Sequence, residues 1–240
     1  REECAAFTVA GALQEKKVTP ETTFDLPPTL QVADRVIKES HDRGGVSLTV
    51  SQILAQSSNV GSVKIGLELG AERFDSWVRR FGFGKPTGID LAGEEQGLVL
   101  GHKQYSGSSM GNLPIGQGVA VTPIQMAAAY SAIANGGILR PPQVVKQVGD
   151  QRARQPRGER IISAKTSASI RKMLEGVLGA GGTASEAAIP GYDLAGKTGT
   201  AQKIDPQTGE YSKSNYVASF IGFAPAKKPK LLVAVMVDEP

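Results

Sequence analysis

Two short polar clusters in this 240-residue chain hold groups able to do chemistry. The first is Lys197-Thr198-Gly199-Thr200, a lone cation among small and hydroxylated residues in the stretch LAGKTGTAQK. Read as extended chain, Thr198 and Thr200 share one face and Lys197 points to the other. Gly199 leaves room for a second backbone to come close. Such an edge could take up an anionic peptide as an added strand, with the peptide's carboxyl end near the lysine and the hydroxyls. The second cluster is Ser57-Ser58-Asn59, at the junction of two helical stretches. Ser57 and Asn59 are two apart on a tight turn and could aim into one cleft. On their own the same residues read as helix punctuation, since Ser and Asn are preferred caps. Taken with the lysine stretch, a hydroxyl, an amide and an ammonium converging on one pocket suit acyl transfer. The hydroxyl or lysine would relay a proton, and the amide would orient a carbonyl.

The elements that must position these groups follow from periodicity. Residues 5–15 read as a helix, followed by a loop carrying Pro20, Pro27 and Pro28. Residues 47–56 read as a short helix and 57–70 as a second directly behind it. In the next segment Phe74, Trp77, Val78 and Phe81 recur at helical spacing and predict a buried stripe. Residues 82–97 are rich in turn formers. Thr122 as cap, Pro123 at the first helical position and Gly136 past the end bound another helix. Ser163 caps a further one, with Ile170, Met173, Leu174, Val177 and Leu178 on one face. The period then changes. Residues 196–203, 215–225 and 231–239 read as three strands joined by short turns, with a hairpin loop over 225–229. Helices first and an antiparallel sheet last predict an α+β fold, helices packed on the sheet. The alternative is a boundary near 140–160, but one domain over 1–240 is the better reading. Both ends look cut from something longer: the chain enters a helical pattern almost at once and stops on an apolar strand.

Composition narrows the function classes. At 40% hydrophobic and 21% charged residues the chain can bury a globular core. Its net charge of +4 is spread out, and the basic run at 151–160 carries no interleaved aromatics, which argues against nucleic-acid binding. The single cysteine, Cys4, forbids an internal disulfide. His41 and His102 stand alone without ligand spacing, so no metal is expected. No apolar run approaches the roughly 18 residues of a membrane helix, and no signal peptide opens the chain.

The order Ser57-Ser58-Asn59, then Lys197-Thr198-Gly199-Thr200, resembles the penicillin-binding proteins, whose motif set is shared with the β-lactamases. Longer blocks agree: 54–70, 81–94, 111–137 and 194–203 look like the transpeptidase domain of class B penicillin-binding proteins, the second and third pointing to the septal, cell-division type. The resemblance runs from about Ala6 to the last residue. It implies a domain that cross-links peptidoglycan: an active-site serine attacks the D-Ala-D-Ala end of a stem peptide, releases the last D-alanine and forms an acyl-enzyme that a neighbouring amine resolves. β-Lactams would mimic the dipeptide. By matching positions, Ser57 would pass protons toward the leaving nitrogen and Asn59 would bond the substrate amide. Lys197 would supply positive potential and share a proton network with Ser57. Thr198 and Thr200 would hold the terminal carboxylate beside Gly199, and the Thr200 N–H would be half of an oxyanion hole. The resemblance further implies no cofactor, division-complex membrane proteins as partners, and a place on the outer face of the cytoplasmic membrane behind a single-pass anchor that this chain does not show.

One motif breaks the pattern. The family's Ser-x-x-Lys should precede the segment Ala6–Leu13, and counting back places the serine on Glu2 and the lysine on Ala5. Neither can serve as nucleophile or base. The chain's one Ser-x-x-Lys, Ser169 to Lys172, falls in a helix with a convincing buried face and reads as a chance match. Cys4 lies two places past the serine position with no base beside it. The expectation is an enzyme domain lacking its nucleophile in this chain, through truncation or scrambling at the start. The alternative is a non-catalytic homologue that binds stem peptides, β-lactams or division partners. A D,D-carboxypeptidase, a β-lactamase and a β-lactam sensor are weaker readings.

Overall fold

The computed structural model describes residues 2–40 and 44–240; the isolated His41 falls outside them. At the centre runs α1 (Ala5–Gln14), whose Ala-rich sequence lets neighbours approach on every side: residues 5–12 are all buried. Phe7 anchors an aromatic cluster, with ring centroids 4.7 Å from Phe81, 5.0 Å from Phe83 and 5.2 Å from Tyr130.

The proline-bearing segment read as loop forms four short strands. β1 (Thr23–Leu26) pairs with β4 (Val46–Thr49), and β2 (Thr29–Val32) pairs with β3 (Arg35–Lys38), all antiparallel. Four-residue strands leave too little alternation for periodicity to register. The stretch 47–56 opens as strand over 47–49 and is helix only after that. Thr49 and Gln52 form a capping box, Gln52 N–H to Thr49 Oγ1 at 3.2 Å and Thr49 N–H to Gln52 Oε1 at 2.9 Å, so α2 (Val50–Ala55) begins only after Thr49.

The longer helices lie where the periodicity puts them: α3 (Asn59–Leu69) and α4 (Ala71–Arg80), the latter burying Phe74, Trp77 and Val78. After them come α5 (Ser109–Asn112) and α6 (Pro123–Ala134), the latter started by a Thr122–Gln125 capping box. The buried Gln125 amide also donates to the carbonyls of Lys85 at 2.8 Å and Gln96 at 2.9 Å, so one side chain pins the turn-rich stretch to α6. Asp90 fixes the same stretch from outside, accepting from the N–H groups of Val144 at 2.7 Å and Val145 at 2.8 Å. These bonds hold its carboxyl below the usual range. Two-residue pairings follow, β5 (Ile138–Leu139) with β8 (Glu159–Arg160) and β6 (Gln147–Val148) with β7 (Gln151–Arg152). Ser163 caps α7 (Ala164–Glu175), accepting the Thr166 N–H at 3.0 Å.

The three long strands β9 (Ala195–Ile204), β10 (Tyr211–Ala224) and β11 (Leu231–Asp238) form one antiparallel sheet in the order β11-β10-β9. The fold is α+β, as the pattern predicts, and β9 is an edge. α7 packs on it, and α1 packs in turn on both α7 and α3.

Two outcomes test this packing. In α3, a Cβ added at Gly61 would lie 2.6 Å from buried Ile53 of α2. Gly61→Ala gains about 1 kcal/mol of helix propensity, but overpacking costs typically about 1–3 kcal/mol. Denaturant unfolding should show a net loss of stability. Asp90→Asn should narrow the difference in melting temperature between pH 6 and pH 3. A carboxyl depressed in the folded state adds stability above its unfolded pKa and loses it as pH falls through the folded value.

Candidate active site

Ser57 sits in the turn between α2 and α3 with φ +54° and is 4% exposed. A left-handed non-glycine residue costs about 1 kcal/mol or more and points to a local constraint. The constraint is visible in its neighbours. Ser58 N–H donates back to the Ile53 carbonyl at 3.0 Å. Ser58 Oγ caps α3 by accepting the Gly61 N–H at 2.9 Å, and it donates to Glu39 Oε1 at 2.5 Å. The Asn59 N–H donates to Glu39 Oε2 at 2.9 Å, and Asn59 Nδ2 donates to the Lys38 carbonyl at 3.0 Å. Capping and chemistry therefore divide along the motif: Ser58 caps, and Ser57 is turned the other way.

It is turned toward Lys197. On β9 the side chains alternate as a strand requires: Lys197 and Gly199 face inward and are buried, Thr198 is half-buried and Thr200 exposed. A fully buried ammonium is costly unless hydrogen-bonded. Lys197 Nζ donates to Ser57 Oγ and to the Thr198 carbonyl, the latter at 3.0 Å. Thr198 Oγ1 lies 2.7 Å from Thr183 Oγ1, which ties the loop after α7 to the strand. That loop is itself held to α2, where the Thr183 N–H donates to the Ala55 carbonyl at 3.2 Å. Thr200 stays clear of these contacts on the open side of the edge.

The start of the chain packs against the same strand. Residues Glu2–Cys4 form a 3-10 turn beside β9. The Glu3 carboxylate accepts from Ser219 Oγ of β10 and fills the place where a Cβ on Gly199 would lie. The Glu3 carbonyl accepts from the Tyr130 hydroxyl at 3.0 Å. The room at Gly199 thus admits a side chain from within on the buried face. Glu3, Glu39, Thr183 and Ser219 escape a reading of the sequence, because each is a single polar residue far along the chain from the motif it touches. Only Glu3 borders a motif position.

The remaining candidates separate from this centre. Ser169 and Lys172 lie on the side of α7 that lines an open groove facing α2, and neither Ser57 nor Lys197 lines that groove. His102 stacks edge-on against Tyr105 at 5.5 Å. Among the described residues no group of three His, Cys, Asp or Glu is set to hold a metal, and no helix is long and apolar enough to cross a membrane. Burial, with the Glu3 charge adding to it, pushes the Cys4 thiol up to about 11.

What the arrangement can do is move a proton. A serine hydroxyl is held on a buried ammonium, beside an asparagine whose Oδ1 accepts no hydrogen bond among the described residues, at the rim of an unpaired strand edge.

A family model described as the penicillin binding protein transpeptidase domain matches residues 6–240. The penicillin-binding protein PbpB of Mycolicibacterium smegmatis is 36% identical over 244 residues, covering 97% of this chain and 38% of that protein. The probable peptidoglycan D,D-transpeptidase PenA of Neisseria gonorrhoeae is 33% identical over 234 residues, covering 98% of this chain and 39% of that protein. The chain thus spans well under half the length of both. A crystal structure of penicillin binding protein 3 from Mycobacterium tuberculosis complexed with ampicillin superposes with a TM-score of 0.95 at 34% identity, covering 100% of this chain and 55% of that one.

At pH 7 Cys4 should react with iodoacetamide far more slowly than an exposed cysteine, and at the exposed rate once the chain is unfolded, as mass spectrometry would read it. Rapid labelling of the folded chain would contradict the raised pKa of this half-buried thiol.

Proposed function

This chain belongs to the penicillin-binding protein transpeptidase family, on its class B, septal side, and from that premise we propose that it is the acyl-transfer part of a peptidoglycan D,D-transpeptidase. The observation that carries the reading is the hydrogen bond from Lys197 to Ser57, two residues whose motifs lie 140 positions apart. In the proposed cycle a stem peptide ending in D-Ala-D-Ala lies along the outer edge of β9. Thr198 and Thr200 bind its terminal carboxylate and the Thr200 N–H polarises the carbonyl under attack. Asn59 Oδ1 accepts the N–H of the peptide backbone. Ser57, with its proton shared with Lys197, protonates the leaving D-alanine nitrogen as an acyl-serine forms. An amine of a second stem then takes the acyl group. β-Lactams bind in the same groove, a reading supported by the ampicillin complex of the relative from Mycobacterium tuberculosis. The whole protein works at the outer face of the cytoplasmic membrane with division proteins as partners.

The attacking serine of that cycle and its partner lysine are the components this chain does not supply. Glu2 and Ala5 stand where the family has its Ser-x-x-Lys, in a turn that packs against β9 beside Gly199. This favours a second reading, in which the chain as written binds stem peptides or β-lactams without reacting.

Gel labelling with a fluorescent penicillin separates the two. The chain as it stands should give no covalent band. The Glu2→Ser, Ala5→Lys double variant should give one, and Lys197→Ala or Asn59→Ala in that background should weaken it by roughly a hundredfold or more. A double variant that folds and never labels would remove the enzyme reading and leave the binding one.

A further inference from the structure

The left-handed conformation of Ser57 needs a cause outside its own turn, and the end of β3 supplies one. Glu39 follows that strand by one residue and aims both carboxylate oxygens at the two residues directly after Ser57: Oε1 at the Ser58 hydroxyl (2.5 Å) and Oε2 at the Asn59 N–H (2.9 Å). The carbonyl of Lys38, one residue earlier, takes the Asn59 side-chain amide at 3.0 Å. Three hydrogen bonds from two consecutive residues thus hold Ser58 and Asn59 from one side. Bonds to an ionised acceptor are the stronger kind.

The arrangement also decides how Ser58 spends its single proton. Because the proton goes to Glu39, a lone pair of Ser58 Oγ is left for the Gly61 N–H at 2.9 Å, and the start of α3 is fixed. With α2 closed by the Ser58 N–H on the Ile53 carbonyl at 3.0 Å, both ends of the turn are tied, and Ser57 projects away from the clamp toward Lys197.

We propose that Glu39 is the positioning residue of this site: it clamps the Ser57–Asn59 turn so that the Ser57 hydroxyl stays on the Lys197 ammonium and Asn59 presents Oδ1 rather than its amide nitrogen. It rests on the acyl-transfer reading only for its consequence to catalysis; the clamp itself is a statement about geometry. Glu39 makes no hydrogen bond to Ser57 or Lys197 among the described residues and acts through Ser58 and Asn59.

The test reads the Lys197 side chain directly, in the chain as it stands, by NMR of isotope-labelled lysine with the signal assigned through Lys197→Arg. Ser57→Ala should displace the Lys197 signal by removing the hydroxyl. Glu39→Ala should displace it in the same direction and by most of the same amount. Glu39→Gln keeps the shape with one acceptor fewer and guards against a Glu39→Ala chain that fails to fold; it should give a partial displacement. A folded Glu39→Ala or Glu39→Gln chain with Lys197 at its original position overturns the proposal. So does a Ser57→Ala chain in which the signal does not move, because the contact to be held would then not exist. In the Glu2→Ser, Ala5→Lys background, Glu39→Ala should slow penicillin acylation roughly ten- to a hundredfold, with Glu39→Gln recovering part of the rate. Absence of labelling in that background itself would fall on the acyl-transfer reading and leave the NMR result standing.

Discussion

A buried ammonium on a strand edge, hydrogen-bonded to a hydroxyl in a helix–helix turn, is the interaction around which this protein is arranged. Lys197 is fully enclosed, and Ser57 is nearly so. Neither environment is comfortable alone: the lysine has lost its hydration and the serine sits in a backbone conformation that L-residues rarely adopt. Their contact compensates the first and gives the second a use. It also requires that β9 and the α2–α3 turn be held in fixed relation, since a hydrogen bond weakens steeply once it lengthens or bends.

That relation is over-determined. Behind the strand, α1 is buried along most of its length and fixes the helices that carry the turn. Gly61 lets α3 close against Ile53 of α2, which sets where the turn between them can lie. In front, Thr183 reaches both sides at once, its N–H on the Ala55 carbonyl and its hydroxyl beside that of Thr198. The clamp from Lys38 and Glu39 adds the third direction. A site that must keep a hydroxyl on an ammonium is better built on such cross-ties than on any single strong contact, because productive geometry tolerates only small displacements.

The turn at Glu2–Cys4 sits inside this framework. It touches β9, and its Glu3 carboxylate takes the space Gly199 leaves open on the buried face. The scaffold that would receive an attacking serine is therefore present around residues that cannot attack. In the proposed cycle positioning and reaction are separable: the groups proposed to bind, orient and relay lie on the α2–α3 turn and β9, and the nucleophile position falls in the 3-10 turn that precedes α1.

The sequence by itself determined the long helices, the three-stranded antiparallel tail, the edge position of Lys197 and the two motifs, because each is written locally in a period of 3.6 or 2, a cap, or a short run of unusual residue types. It also carried the family through blocks at 81–94 and 111–137. It did not disclose β1 to β4, whose four-residue strands are too short for alternation to show, nor the start of α2, where a capping box moved the boundary into an apparently continuous helix. Nor did it assign Glu39, Thr183, Glu3 and Ser219 to the site. Those residues have no local signature: a glutamate after a short strand reads as a solvated charge until the chain has folded and a serine hydroxyl stands 2.5 Å away. Only tertiary structure could split Ser57 from Ser58, giving one to the lysine and the other to the helix, because the choice depends on what faces each side of the turn, and those partners come from opposite ends of the chain.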